Sequence, residues 1–199
     1  LVDATELPRK LLRSKLTVGL PESRALVYPR WWPGHHGPVG AIQNIAGLTV
    51  SDQNSSTVSW ERDWADVYRF VIGHKPIRDP VDVGITYVCN QPTDNTIGCD
   101  SYGYPALGVI NWNTVILYPE GVPVRDIQVR PRLILPEGWR YGTALKLERT
   151  AGDTLVFQSV SLETLIDMPL ICGEHFSAVK YASTDQADYF LHIAADDPD

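Results

Sequence analysis

The segment Val81-Asp82-Val83-Gly84-Ile85-Thr86-Tyr87-Val88-Cys89 places an apolar residue at every second position. Side chains of a β-strand point to opposite faces in turn, so Val81, Val83, Ile85, Tyr87 and Cys89 share one face only if the backbone is extended. A helix would scatter them around its axis. The same period recurs over Ile127–Leu135, with Ile127, Val129, Leu133 and Leu135 on one face and Gln128, Arg130 and Arg132 on the other. Pro131 falls on the apolar face of that run and cannot donate to a ladder, so it marks a sheet edge or a bulge.

Further strand patterns lie at Leu12–Val18, Arg24–Tyr28, Tyr68–Ile72, Val109–Leu117, Thr143–Arg149, Thr154–Val160, Phe176–Tyr181 and Tyr189–Ala194, and Leu1–Thr5 reads as the middle of another. Turn signals separate them: Glu120-Gly121-Val122-Pro123, Pro136-Glu137-Gly138 and Ala151-Gly152-Asp153. One helix is predicted over Ser161–Asp167, with Ser161 as its cap, Leu162, Leu165 and Ile166 as its apolar face and Pro169 beyond its end. About ten strands and one two-turn helix predict an all-β fold, a two-sheet antiparallel β-sandwich with one short helix. Its expected core holds Val83, Ile85, Tyr87, Leu133, Leu135, Leu145 and Phe157.

The 199 residues suit a single β-rich domain over residues 1–199. Six Trp, nine Tyr, 15 Gly and 15 Pro fit a chain of strands and tight turns. A net charge of -7 argues against a nucleic-acid partner, since phosphate binding needs clustered Lys and Arg. No apolar run approaches the ~18–20 residues that cross a bilayer as a helix, so no membrane span is expected. A start at Leu1 and an acidic, patternless Asp196–Asp199 lead us to expect a piece of a larger protein.

Catalytic signals are scarce. Of His35, His36, His74, His175 and His192, none lies in H-E-x-x-H, the helical spacing that puts two imidazoles on one zinc ion. Cys89, Cys99 and Cys172 include no C-x-x-C pair. A Cys89–Cys99 bridge would staple the irregular stretch Asn90–Gly108 in an oxidising compartment; the other reading is free, partly buried thiols. Gly98-Cys99-Asp100-Ser101-Tyr102-Gly103 is not a nucleophile elbow, and Asn54-Ser55-Ser56 is a formal glycosylation sequon in a polar turn. No catalytic residue, metal ligand or cofactor site is therefore assigned to this chain.

One segment is set apart by composition: Tyr28-Pro29-Arg30-Trp31-Trp32-Pro33-Gly34-His35-His36-Gly37-Pro38, a rigid aromatic loop directly after a strand. It reads either as a Trp-anchored plug at one end of the sandwich or as a recognition surface. Strand geometry puts one Trp inward and the other outward, with Trp32 expected as the anchor.

That loop also carries a resemblance. Val2-Asp3-Ala4-Thr5 with Pro8-Arg9, the Tyr28–Gly40 segment and Ala46-Gly47-Leu48 resemble the N-terminal domain of the glycyl aminopeptidase family of zinc metallopeptidases (peptidase family M-sixty-one). The likeness continues through Trp60-Glu61-Arg62-Asp63, Asp66-Val67-Tyr68-Arg69-Phe70, Asn111-Trp112-Asn113, Leu117-Tyr118-Pro119, Leu135-Pro136-Glu137-Gly138-Trp139, Gly142-Thr143-Ala144-Leu145 and Ser161–Pro169. Two positions depart from it: His35 stands where the family usually has an acidic residue, and Met168 where it has Ser.

The resemblance implies a non-catalytic domain that packs on the catalytic domain of the same polypeptide and walls one side of its peptide-substrate cleft. Trp31, Trp32, His35 and His36 are then the candidates for the cleft or the interdomain surface. Zinc is expected in the catalytic domain, outside this chain, with a PDZ domain commonly following it. The resemblance further implies an exported protein, periplasmic or extracellular. The competing reading is a stand-alone carbohydrate- or peptide-binding sandwich that uses exposed Trp31, Trp32, Trp112 and Trp139 as stacking platforms. Exposure of those four indoles separates the two readings.

Overall fold

The computed structural model describes residues 1–32, 34–73, 79–90 and 100–198. In chain order the strands are β1 (Val2–Asp3), β2 (Leu11–Val18), β3 (Ala25–Val27), β4 (Ile45–Ser51), β5 (Trp60–Arg62), β6 (Arg69–Ile72) and β7 (Val81–Val88). They continue as β8 (Tyr102–Gly103), β9 (Leu107–Ile110), β10 (Tyr118–Pro119), β11 (Gln128–Val129), β12 (Arg132–Ile134) and β13 (Arg140–Thr143). After β14 (Leu147–Ala151), β15 (Thr154–Phe157) and β16 (Val160–Ser161) comes the helix α1 (Leu162–Ile166), then β17 (Leu170–Gly173), β18 (His175–Ser183) and β19 (Asp188–Ala195). Strand accounts for 47% of the described residues and helix for 8%, which is the all-β sandwich with one short helix expected from the periodicity.

The main sheet runs β14-β15-β12-β1-β2-β7-β4 and is antiparallel except where β1 lies parallel to β12. Opposing it are smaller pieces rather than one continuous sheet: β10-β3-β6-β5, β13-β17-β9-β8 and the pair β11-β16. Leu12, Val83, Ile85, Tyr87, Leu133 and Phe157 of the main sheet join Leu26, Phe70, Ile72, Ile110, Leu170 and Cys172 of the smaller sheets in one core cluster. Each such side chain removed from water contributes about 1.5–3 kcal/mol. Six of the seven expected core residues are buried; Leu135 is partly buried and packs against the core edge.

Local chemistry explains the departures. Pro131 divides the predicted Ile127–Leu135 run into β11 and β12, each pairing with a different strand. The predicted strand Val109–Leu117 stops at Ile110, and Trp112–Val115 forms a 3-10 turn under β2 and β7. The Thr114 amide and hydroxyl both donate to the Asn111 carbonyl, at 3.0 and 2.7 Å, which closes that turn. Thr143–Arg149 is likewise not one strand: the chain leaves β13 at Thr143 and re-enters the main sheet at Leu147. The helix lies where predicted, with the Ser161 hydroxyl accepting from the Thr164 amide at 3.1 Å, a cap contributing about 1 kcal/mol. The final hairpin, β18-β19, forms a two-stranded sheet of its own.

Candidate functional site

The aromatic loop is fixed at its base by strands β3 and β6. Tyr28, fully buried, receives its position from its amide bond to the Tyr68 carbonyl at 2.8 Å and from its hydroxyl, which donates to the Thr114 carbonyl at 3.2 Å. The Tyr28 and Tyr68 rings stack with centroids 6.5 Å apart. Two residues on, the chain turns back on itself. The Gly40 amide donates to the Arg30 carbonyl at 3.0 Å, and a side chain at Gly40 would lie 2.2 Å from the Pro29 carbonyl oxygen, so only glycine closes this loop. The Tyr68 hydroxyl donates to the Gly40 carbonyl at 3.1 Å, on the other side of the closure.

Inside the loop the two tryptophans separate. Trp32 is 5% exposed and its indole N–H donates to the Pro29 carbonyl at 3.1 Å, so it is the anchor. Trp31 is 62% exposed, and His35 and His36 are exposed beside it in sequence. A buried indole with its N–H satisfied holds the loop; the other side chains are left on the surface.

A second loop is tied to the first. The Asp63 carboxylate accepts from the amides of Ala65 (2.8 Å) and Asp66 (3.2 Å), a tight turn that pushes Trp64 fully into solvent. The Ala65 amide, then Arg69 and the Asp66 amide, hold the Asp63 carboxyl below its ordinary range. Arg69 is the centre of this corner: it donates to Asp63 at 2.8 Å and forks onto both oxygens of Glu120 at 2.6 and 3.1 Å. Its guanidinium is held more firmly protonated than usual by Glu120 and Asp63, and the Glu120 carboxyl is correspondingly lowered, chiefly by Arg69. Arg30 pairs with Asp66 and lies 5.0 Å over the Tyr68 ring. Through that pair the loop carrying Trp31 and the turn carrying Trp64 are held as one unit.

The remaining chemistry-bearing residues are structural. Ser101 is fully buried, with its hydroxyl 2.7 Å from that of Thr114 and accepting from the Asn111 amide at 2.9 Å, so it stabilises the 3-10 turn. Cys89 and Cys172 are buried free thiols, and burial pushes both up to about 12, which makes them poor nucleophiles. The Cys89–Cys99 bridge and His74 lie outside the described residues. Among the described residues no three His, Cys, Asp or Glu side chains converge on a position that could hold a metal ion.

Of the four tryptophans considered as stacking platforms, Trp32 and Trp112 are buried and Trp139 is half-buried against the core. The Trp112 N–H donates to the Met168 carbonyl at 2.9 Å and its ring meets Phe157 edge-on. They form no shared platform. Sequence reasoning did not single out Trp64, or Val39 and Val67, which are exposed in the same two loops. The signal for Trp64 was its place between Asp63 and Asp66, a spacing that makes a carboxylate-capped turn and leaves the residue between outside.

A family model for the peptidase M61 N-terminal domain matches residues 1–174. No curated protein sequence matches the chain. Among solved structures, an aminopeptidase N family protein from Idiomarina loihiensis superposes with a TM-score of 0.80 at 18% identity, over 98% of this chain and 32% of that one. The likeness at that identity is one of fold, and the chain spans about a third of that protein's length. Among the described residues no helix is long and apolar enough to cross a membrane. With the family model covering all but the final hairpin, the chain belongs to the peptidase M61 N-terminal domain family.

Proposed function

We propose that this chain is the non-catalytic N-terminal domain of an aminopeptidase-like zinc metallopeptidase. It packs on the catalytic domain of the same polypeptide and contributes the Trp31–Pro38 loop to one wall of the peptide-substrate cleft. The observation that carries the reading is the division of labour in that loop. Trp32, Arg30 and Gly40 lock its base, while the side chains of Trp31, His35 and His36 stay exposed on the surface. Family membership supplies the context, because a domain of this family implies a catalytic partner. Zinc and the reacting groups belong, in this reading, to that partner.

The test is a pair of measurements: metal content after chelator-free purification, and hydrolysis of aminoacyl substrates, each on the 199-residue chain and on the whole polypeptide its gene encodes. The chain alone should hold no stoichiometric zinc and show no turnover, while the whole polypeptide should do both. Turnover by the chain alone contradicts the proposal. Exposed Trp31 and Trp64 on two tied loops favour one second reading, a binding module for carbohydrate or peptide. Calorimetric titration of the isolated chain with oligosaccharides and short peptides separates it, since the cleft-wall reading expects no binding without the catalytic domain.

A further inference from the structure

The hairpin β18-β19 lies beyond the matched family domain, which ends at residue 174, and its two faces are unequal in an informative way. Register pairs Phe176 with Ala194, Ser177 with Ile193, Ala178 with His192 and Val179 with Leu191. Phe176, His192 and Phe190 therefore form one face, and their rings are in contact in that order, at 5.7 and 6.1 Å. That face sits on the body. A side chain at Gly142 would meet the His192 ring at 2.1 Å, and the Arg140 guanidinium lies 5.7 Å from the Phe176 ring. Toward its tip the hairpin stands away from the body over a groove of about 680 Å³ between Phe190, Tyr181 and Met168.

The opposite face carries Val179, Leu191 and Ile193, which are 49%, 53% and 46% exposed. Tyr181 and Tyr189, also exposed, meet at the tip with ring centroids 6.2 Å apart. A strand pair that is apolar on both faces is the pattern of a sheet covered on both sides. Among the described residues no further strand pairs with its outer edges, which leaves them a template for one. Contiguous apolar surface of this kind marks an interface.

Resting on the proposed function, we infer that the Val179/Leu191/Ile193 face is the seam on which the catalytic domain docks. The hairpin is then an inner layer, with this domain on one side and catalytic-domain strands or side chains on the other. The occupant follows from two observations: the hairpin falls outside the domain's own matched sequence, and the aminopeptidase N family structure that contains this fold is about three times as long. In that structure about two thirds of the chain lies outside this fold, and a family named as an N-terminal domain of a peptidase implies what would cover the face here.

Hydrogen exchange over residues 175–195 tests this, comparing the 199-residue chain with the whole polypeptide its gene encodes, each as wild type and as V179K/L191K. The expected result is rapid exchange in the short chain and at least hundredfold slower exchange in the whole polypeptide. The double variant should abolish that protection while leaving the short chain's melting temperature unchanged, because both side chains are already half in water there. Equal exchange in the two forms overturns the inference. Protection in the short chain that depends on its concentration and vanishes with V179K/L191K also overturns it, since the occupant is then a second copy. These outcomes are independent of the zinc and turnover measurements above, so a failure here leaves the identity of the domain standing and moves only its seam.

Discussion

Strand β7 and the hairpin β18-β19 are written in the same alphabet and meet opposite fates. In β7, Val81, Val83, Ile85 and Tyr87 alternate with residues facing the other way, and all four are fully buried. In the hairpin both faces are apolar, yet Val179, Leu191 and Ile193 on the outer face stand about half in water. The difference lies in neighbours. β7 has β2 on one edge and β4 on the other and the smaller sheets across its apolar face, whereas the hairpin has the body beneath one face and no strand on its outer edges among the described residues. Periodicity reports which side chains share a face; it does not report whether that face is covered.

Substitutions should break this symmetry in order of size. The largest loss is expected at the anchors of the covered region. Trp32→Ala and Phe157→Ala should each cost about 3–5 kcal/mol in chemical denaturation of the 199-residue chain, the range for a large buried aromatic. Leu191→Ala in the hairpin should fall within about 0.5 kcal/mol of wild type, as surface positions do. A Leu191→Ala loss as large as that at Phe157 would mean the outer face is already covered in the isolated chain.

Next in size is Gly142→Ala. Its new methyl would collide with the His192 ring, so the hairpin must lift from the body at a cost of about 1–3 kcal/mol, the range for overpacking. Exchange over residues 175–195 should quicken while that of β7 stays as it is. Thiol modification draws the same contrast between buried and exposed: with burial pushing Cys89 and Cys172 up to about 12, both should react with a thiol reagent at pH 8 only as the chain unfolds. Fast native-state modification of either would mean that the core opens locally.

The smallest effect concerns acid. Arg69 keeps the Glu120 carboxyl below its ordinary value, as the Ala65 amide and then Arg69 do for Asp63. A carboxyl whose folded-state value is lowered stabilises the fold above its unfolded value near 4, and that contribution is lost as pH falls through the lowered folded value. The melting temperature should therefore drop as pH falls from about 5 to 3. Glu120→Gln should show a shallower drop over the same range, with the starting value slightly reduced. An unchanged slope would show that the corner contributes nothing measurable.

How much of this was legible beforehand depends on how local the cause is. Pro131, expected at an edge or bulge of one strand, divides its run into two strands with different partners, whereas β7 and the Ser161-capped helix are written in consecutive residues and stand as read. β4 was not: a register shift between Ile45 and Gly47 against β7 interrupts its alternation, so the pattern shows only once the partner strand is in place. The turn at Trp112–Val115 has strand-like residues, and its conformation comes from Ser101 and Tyr28, 11 and 84 positions before Trp112 in the numbering, which hold its polar groups in the core. In the candidate site, the inward Trp32 and outward Trp31 were expected. The Arg30–Asp66 and Arg69–Glu120 pairs that hold the loop were not, because they join segments far apart in sequence.

The central claim is that the aromatic loop is built to be held by Trp32 and used through Trp31 and His36. It is tested most directly by measuring kcat/KM for an aminoacyl substrate in the whole polypeptide its gene encodes, carrying Trp31→Ala or His36→Ala, beside the melting temperature of the 199-residue chain with the same changes. Melting temperatures should be nearly unchanged, since both side chains are exposed. Activity should fall about tenfold, the equivalent of roughly 1.4 kcal/mol of lost transition-state positioning. Full activity with both variants, or unfolding of the isolated chain by either, would contradict the claim and leave the loop as a plug in the end of the sandwich.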